Sequence, residues 1–305
     1  MGSGGRGGET AQGDIVAQRV NVLGVGVSAI NMGQALAAIE RWIARREAHY
    51  VCVTNIHGVI ESQRDQDLRR IHNAAGLVTP DGMPLVWLGR IGGFKHMERV
   101  YGPDLMLALC ERSVAKGYRH FFYGGGSPVP DRLAASLQRR YPGLRVAGAY
   151  APPFRPLTEA EEECIVQRVN GAGADIVWVG LSTPKQEHWM AKHVGCLKAS
   201  VLIGVGAAFD FHAGLKKQAP RWMQRSGSEW LFRLATEPKR LWRRYATTIP
   251  SFLWLCTLQT FRIREFRLEE TVPPSVASGA LRGLELEAAR VHAVGEDEAT
   301  TDPDL

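Results

Sequence analysis

Residues 174–214 read ADIVWVGLSTPKQEHWMAKHVGCLKASVLIGVGAAFDFHAG. The stretch divides into a strand, a tight loop, a helix, a second strand and an irregular Gly-Ala segment. Ile176, Val177, Trp178 and Val179 form an almost unbroken apolar run, the pattern of a strand covered on both faces. Gly180 breaks that run, and Pro184 is expected as a first helical residue, where its missing N–H would be unpaired anyway. Residues 201–205 make a second buried run. Two parallel strands joined by a helix give a right-handed βαβ unit. Ligands of such sheets lie beyond the carboxyl ends of the strands, where Ser182, Thr183, Lys185, Gln186 and Asp210 fall.

The same alternation extends outward in both directions. Strands are expected from Val20 through Leu23 and over 50–54, 77–78, 120–123 and 144–149, and helices over 30–46, 57–73, 105–116, 132–140 and 158–170. Thr158 with Glu161 forms a capping box that opens the last of these helices. The pattern predicts an α/β fold: a Rossmann-like, mainly parallel sheet flanked by helices. Four segments follow: a disordered Gly-rich start (1–18), an α/β core (19–225), a C-terminal helical appendage rich in basic residues and Trp (226–268), and an acidic disordered tail (269–305). No internal repeat is evident.

At 305 residues, 45% hydrophobic and 22% charged, the composition is that of a soluble globular protein with a sizeable core. The net charge is +6 and the pI near 9.2, with the excess concentrated in the appendage. Five scattered cysteines without a CxxC point to free thiols in a reducing compartment. The Gly-rich start carries no signal peptide, and no run reaches the ~20 apolar residues that span a bilayer.

Several groups could carry chemistry. Asp81, in TPDGMP (79–84), follows a strand end; a carboxylate there could take a proton from an acceptor hydroxyl, although Asp-Gly after Pro is also an ordinary turn. Gly124-Gly125-Gly126-Ser127 joins a strand to a helix, and its backbone N–H groups could cradle a diphosphate or simply make a tight turn. Asp65-Gln66-Asp67 has the DxD spacing of metal-holding transferases, yet it lies among polar helical residues, where an N-cap is the plainer reading. The nine histidines show no ligand spacing, so no metal is assigned. After Pro220, Trp222, Trp230, Trp242 and Trp254 interleave with arginines around residues 246–261, which carry no charge. That pattern suits a helix pair lying on an anionic membrane; its plainer alternative is a helical subdomain packed on the core. No nucleic-acid recognition module is present.

Together the markers resemble the WecG/TagA/CpsF glycosyltransferase family (family 26). They are Asn55, TPDGMP, ERVYGPDL (98–105), FFYGGG (121–126), GLSTPKQE (180–187), GVGAAFDFHAG (204–214) and EWLFRLATEPKRLWRRY (229–245). The resemblance runs over residues 21–245. It implies an inverting, metal-independent transfer from a UDP-sugar to a polyprenyl-diphosphate-linked sugar at the cytoplasmic membrane face. Donors in the family are of the N-acetylmannosamine, N-acetylmannosaminuronic acid or glucose type. It implies Asp81 as general base, with Arg99 and Gln186 in the active site and appendage arginines near it. Substrate contacts are accordingly expected from Thr54, Asn55, Arg99, Gly124, Gly125, Gly126, Lys185, Gln186, Asp210, Arg240, Arg243 and Arg244. No cofactor beyond the substrate is expected, and homo-oligomerisation is left open. Val53, Gln218 and Ser228 depart from the usual family residues.

Two other classes compete. A nicotinamide oxidoreductase predicts G-x-G-x-x-G at the first βα turn, and Gly24 to Ala29 stops one glycine short; Glu40 is misplaced for the ribose-binding acid. A non-catalytic membrane scaffold predicts that Asp81 is freely replaceable.

Overall fold

The computed structural model describes residues 17–269, so nearly all of the expected disordered start and acidic tail lies outside the described residues. β1 (Arg19–Val22) and β2 (Val25–Ser28) pair antiparallel as a sheet of their own. Leu23 and Gly24 turn this hairpin at φ 54° and 81°, the positive values a two-residue hairpin loop requires. The first strand therefore does not lead into a nucleotide-binding turn, and the glycines weighed as a fingerprint belong to a hairpin. α1 (Met32–Arg45) follows, opened by a capping box between Asn31 and Gln34.

Next come β3 (His49–Thr54), α2 (Ile56–Arg64), α3 (Gln66–Ala74) and β4 (Leu77–Pro80). The single helix expected over 57–73 is broken at Asp65, which is extended (φ −120°) and whose carboxylate caps α3 by accepting from Leu68 N–H at 3.0 Å. α4 (Met83–Ile91), α5 (Gly102–Lys116), β5 (Arg119–Gly124), α6 (Val129–Arg140) and β6 (Arg145–Tyr150) continue the alternation. α7 (Glu159–Ala172) carries the Thr158–Glu161 capping box. β7 (Ile176–Gly180), α8 (Lys185–His193), β8 (Val201–Gly204) and a short α9 (Ala208–His212) realise the stretch quoted first, with Pro184 as the N-cap rather than the first helical residue. The chain ends in α10 (Arg221–Arg225), α11 (Glu229–Thr236) and α12 (Pro238–Thr260).

Six strands form one all-parallel sheet, in the order β4-β3-β8-β7-β5-β6. Alternate residues of each strand enter opposite cores. Tyr50, Phe121, Val177 and Leu202 pack on one face with α7 and α8, while Val51, Phe122, Trp178 and Ile203 pack on the other with α1, α5, α6 and α9. Burial on both faces explains why the strands read as continuous apolar runs. β5 leads outward to β6 and β7 leads inward to β8, so the connections diverge between β5 and β7 and open a crevice at their carboxyl ends. Gly124 stands opposite Gly180 there. It has φ 129°, and a Cβ on it would lie 2.6 Å from the Gly180 backbone, so only glycine fits.

The C-terminal helices are fastened to this core. Phe252 of α12 and Phe266 beyond it join the apolar cluster on the α7/α8 face. Gln259 accepts from Leu23 N–H (3.0 Å) and donates to the Asn21 carbonyl (3.1 Å). The packed-subdomain alternative thus describes one face of the appendage. On the other, Trp242 and Trp254 are 52% and 63% exposed, as is Trp222 of α10 at 68%. Among the described residues no helix is long and apolar enough to cross a membrane.

Candidate active site

A cavity of about 540 Å³ opens at the carboxyl ends of the strands, walled by the residues that follow β3, β4, β5, β7 and β8 and overhung by α11 and α12. Asp81, first after β4, stands on its floor. Its N–H donates to the Thr54 carbonyl (2.9 Å), tying the ends of β3 and β4 together. Asp81 Oδ1 accepts from Gly102 N–H at the start of α5 (3.1 Å); Oδ2 has no protein donor among the described residues. Burial pushes the carboxyl above the usual range; Arg99 opposes that shift and Glu229 adds to it.

Arg99 does not line the cavity. Its Nε donates to the Asp81 carbonyl, and its Nη2 pairs with Glu229 at 2.6 Å. The guanidinium also lies over the Tyr101 ring at 4.0 Å, and Tyr101 Oη donates to the same glutamate (3.1 Å). Arg99 therefore ties the Asp81 loop to the start of α11, a contact that the expectation of a direct substrate contact did not anticipate.

The other expected residues divide in the same way. Asn55 lines the cavity and caps α2, its Oδ1 accepting from His57 N–H at 2.9 Å. Thr54 is buried, with Oγ1 turned to the Cys52 carbonyl (3.3 Å), and stands behind the wall. Gly125 and Gly126 line the cavity and Gly124 does not. Gly125 N–H is taken by the Gly180 carbonyl (2.9 Å), which leaves Gly126 N–H as the glycine-turn amide without a protein acceptor among the described residues. Lys185 and Gln186, at the start of α8, and Asp210 on α9 all line the cavity, and Asp210 pairs with Lys216 at 2.9 Å.

From α12, Arg240 and Arg244 reach the cavity, whereas Arg243 points away with its guanidinium 5.4 Å from the Trp242 ring. Arg240 and Arg244, four apart, lie about 40° apart around the helix, whereas Arg243 is turned about 60° from Arg240 and about 100° from Arg244. Burial and the neighbouring Arg240 lower the pKa of Arg244.

The structure adds residues that the sequence reading missed. Lys216 and Arg233 bring further cations to the same wall, so that with Lys185, Arg240 and Arg244 positive charge dominates the mouth. His57 also lines the cavity; burial and Arg244 push its pKa down to about 4, which keeps it neutral near pH 7. The arginine of EWLFR and a histidine two residues past Asn55 were visible signals. What could not be read was that α11 folds back over the crevice. The DxD carboxylate of Asp65, by contrast, caps α3 and meets His188 at 3.3 Å. The five cysteines are free, and Cys164 and Cys196 are exposed.

The arrangement, a half-buried carboxylate at a strand end in a cavity whose charged lining residues are mostly cations, suits chemistry on an anionic leaving group. Comparison with known proteins identifies the family. Among similar chains is an enzyme of Bacillus subtilis (strain 168), 28% identical over 70% of this chain and 80% of its own length. A Staphylococcus aureus (strain NCTC 8325 / PS 47) protein is 26% identical over 77% of this chain and 91% of its own. Both are named N-acetylglucosaminyldiphosphoundecaprenol N-acetyl-beta-D-mannosaminyltransferase. Residues 20–266 match the profile described as glycosyl transferase WecG/TagA/CpsF family, and with most of its length so matched the chain belongs to that family of glycosyltransferases.

Proposed function

We propose that the chain is an inverting transferase that moves a sugar from a UDP-sugar to a polyprenyl-diphosphate-linked acceptor, for assembly of a bacterial surface polysaccharide. The donor is of the N-acetylmannosamine, N-acetylmannosaminuronic acid or glucose type, and the acceptor class is the one named for the Bacillus and Staphylococcus relatives. The observation that carries this reading is the unengaged Oδ2 of Asp81 in a cavity that Lys216, Arg233, Arg240 and Arg244 also line.

In this mechanism Asp81 Oδ2 takes the proton of the acceptor hydroxyl as that oxygen bonds to the anomeric carbon. The bond from that carbon to the β-phosphate oxygen breaks, and UDP departs with the electron pair from the opposite face, inverting the configuration. The raised pKa of Asp81 makes it a stronger base than an ordinary carboxylate. The cations and Gly126 N–H meet the charge that develops on the diphosphate. With that charge met by side chains, transfer proceeds without a divalent metal and survives EDTA. The exposed Trp face of the appendage suits a peripheral seat on the inner leaflet, where a lipid-linked acceptor resides.

The test is transfer from UDP-N-acetylmannosamine, with UDP-N-acetylmannosaminuronic acid and UDP-glucose alongside, to N-acetylglucosaminyl-diphosphoryl polyprenol. Product formation from at least one donor, with inverted configuration and in the presence of EDTA, is expected. No transfer from any of them, or transfer only with added magnesium or manganese, defeats the reading or its metal-free form respectively.

A further inference from the structure

Gln186 and Glu187, at the start of α8, are 3% and 1% exposed, and both follow the β7 end that opens the crevice. Gln186 Nε2 donates to Glu187 Oε1 at 3.0 Å, and Thr183 Oγ1 donates to that same oxygen at 3.0 Å. Gln186 Oε1 is buried and has no partner among the described residues. It lies 3.6 Å from where a Cβ on Gly206 would stand, whereas Nε2 lies 3.1 Å from the corresponding point on Gly204. Gly206 lines the cavity and Gly204 does not, so the carbonyl end of the amide is the cavity end.

We propose that Glu187 is a positioning residue that locks the Gln186 amide with its carbonyl toward the cavity, so that Gln186 accepts a hydrogen bond from a hydroxyl or amide N–H of the bound sugar. The proposal rests on the sugar-transfer reading above and adds to it which end of the donor faces α8. An amide has opposite polarity at its two ends, and its orientation is decided by its partners. Turning this one over would set a carbonyl oxygen against the Glu187 oxygen that already accepts from Thr183, leaving two buried acceptors in contact with no proton between them. Among the described residues Glu187 Oε2 is also buried without a partner, but Glu187 does not line the cavity. The Gln186 carbonyl oxygen is therefore the acceptor of this pair that the cavity can satisfy. A diphosphate oxygen cannot satisfy it, because it too is an acceptor. A sugar hydroxyl or acetamido N–H can. The diphosphate then belongs against the cations of α11 and α12 and the sugar against α8.

The test compares the full-length wild type with Glu187→Met, Glu187→Gln and Gln186→Met. Calorimetry measures UDP and UDP-N-acetylmannosamine separately, and kcat and KM are taken with the lipid acceptor. Glu187→Met keeps the volume and removes the acceptor oxygen. It is expected to leave UDP affinity within about twofold while lowering kcat/KM about tenfold, the scale of one lost hydrogen bond. Glu187→Gln, which can still offer an oxygen to Gln186 Nε2, recovers most of that loss. Gln186→Met reproduces the pattern of Glu187→Met and carries the comparison alone if Glu187→Met does not fold. UDP affinity falling in step with kcat/KM, unchanged kinetics in Glu187→Met and Gln186→Met, or Glu187→Gln as impaired as Glu187→Met overturns the proposal. Hydrogen exchange of the Gln186 side-chain NH2, followed by NMR with ¹⁵N-glutamine, tests the lock without any ligand. Protection in the wild type that disappears in Glu187→Met supports it, and equal exchange in the two overturns it. If the wild type binds neither nucleotide, the donor reading falls, and the exchange measurement still decides the lock.

Discussion

The floor of the crevice and the helices that overhang it are built differently. On the floor, polar side chains are held by short-range partners of the parallel core: Asn55 caps α2, Asp81 Oδ1 accepts from Gly102, and Gln186 donates to Glu187. Overhead, the cations stand on long side chains, and those with ion-pair partners meet them close to the cavity mouth. Arg240 pairs with Glu237, and Lys216 bridges Glu237 and Asp210 at 2.9 Å each. The difference is one of precision against charge. Proton transfer needs an oxygen at a fixed place, whereas neutralising a diphosphate needs positive charge within a few ångströms and tolerates adjustable arms. The floor therefore comes from the strand ends and the charge from an added helical layer.

The sharpest way to break this division is Asp81→Asn. The variant keeps an oxygen for Gly102 N–H and loses only the base, so transfer is expected to fall by roughly 10²–10⁴-fold while UDP binding persists. Initial rates and calorimetry on the same preparation check it; wild-type turnover would make the floor dispensable. The pH dependence has a definite sign. The base must be ionised, so wild-type activity is expected to decline as pH falls through the raised pKa of Asp81, at a higher pH than an ordinary aspartate would impose. Stability runs the other way. Because the folded state holds this proton more tightly than the unfolded chain, the group stabilises at low pH, and that contribution is lost as pH rises from the ordinary carboxylate value through the raised one. At neutral pH Asp81→Asn is therefore expected to melt at or above the wild-type temperature in scanning calorimetry.

The two regions meet at the Arg99–Glu229 pair, whose side chains are 15% and 14% exposed. Glu229→Gln leaves Arg99 poorly compensated in a part-buried setting, and breaking such a pair costs about 3 kcal/mol. Urea unfolding followed by tryptophan fluorescence is expected to register that loss, together with reduced turnover as α11 loosens over the cavity. An unchanged midpoint would mean that the overhanging layer is held by its apolar contacts alone, Phe252 and Phe266 among them.

How legible this was differs along the chain. The parallel sheet could be read because its strands are buried on both faces, and the runs at 176–179 and 201–205 need no tertiary information. The helix break at Asp65 was obscured because residues 57–73 are polar enough to look like one solvated helix, while the capping contact to Leu68 decides it locally. Asp81, Asn55 and Gln186 could be placed because residues that follow parallel strands must fall at the crevice. Arg99 and Glu229 are 130 residues apart; their pairing depends on how α11 folds back, and nothing in either local sequence specifies that. Arg240, Arg243 and Arg244 form one cluster in the sequence, and only the helix orientation separates the two that reach the cavity from the one that does not.

That separation gives the next test. Arg240→Ala with Arg244→Ala removes two cations from the cavity, and kcat/KM for the UDP-sugar is expected to fall about a hundredfold, the scale of losing charged hydrogen bonds. A water-soluble acceptor analogue makes the measurement independent of vesicles. A loss seen only with the lipid acceptor would assign both arginines to the membrane instead.

The smallest expected effect isolates Arg243. Its guanidinium lies beside the exposed Trp242 ring, on the side of α12 turned away from the cavity. A basic residue near an anionic leaflet contributes about 1 kcal/mol, so Arg243→Ala is expected to weaken co-sedimentation with phosphatidylglycerol vesicles about fivefold, most at low salt, where screening is least. UDP affinity and turnover on the soluble acceptor should stay at wild-type values. The double variant at Arg240 and Arg244 should behave in the opposite way, binding vesicles nearly normally and UDP poorly. Were Arg243→Ala to lose UDP affinity, the outward face would have to turn inward when substrate binds, and α12 would be a moving part rather than a fixed roof. Were all three arginines to affect vesicle binding equally, the helix would present no distinct membrane face, and the exposed tryptophans alone would have to account for any attachment.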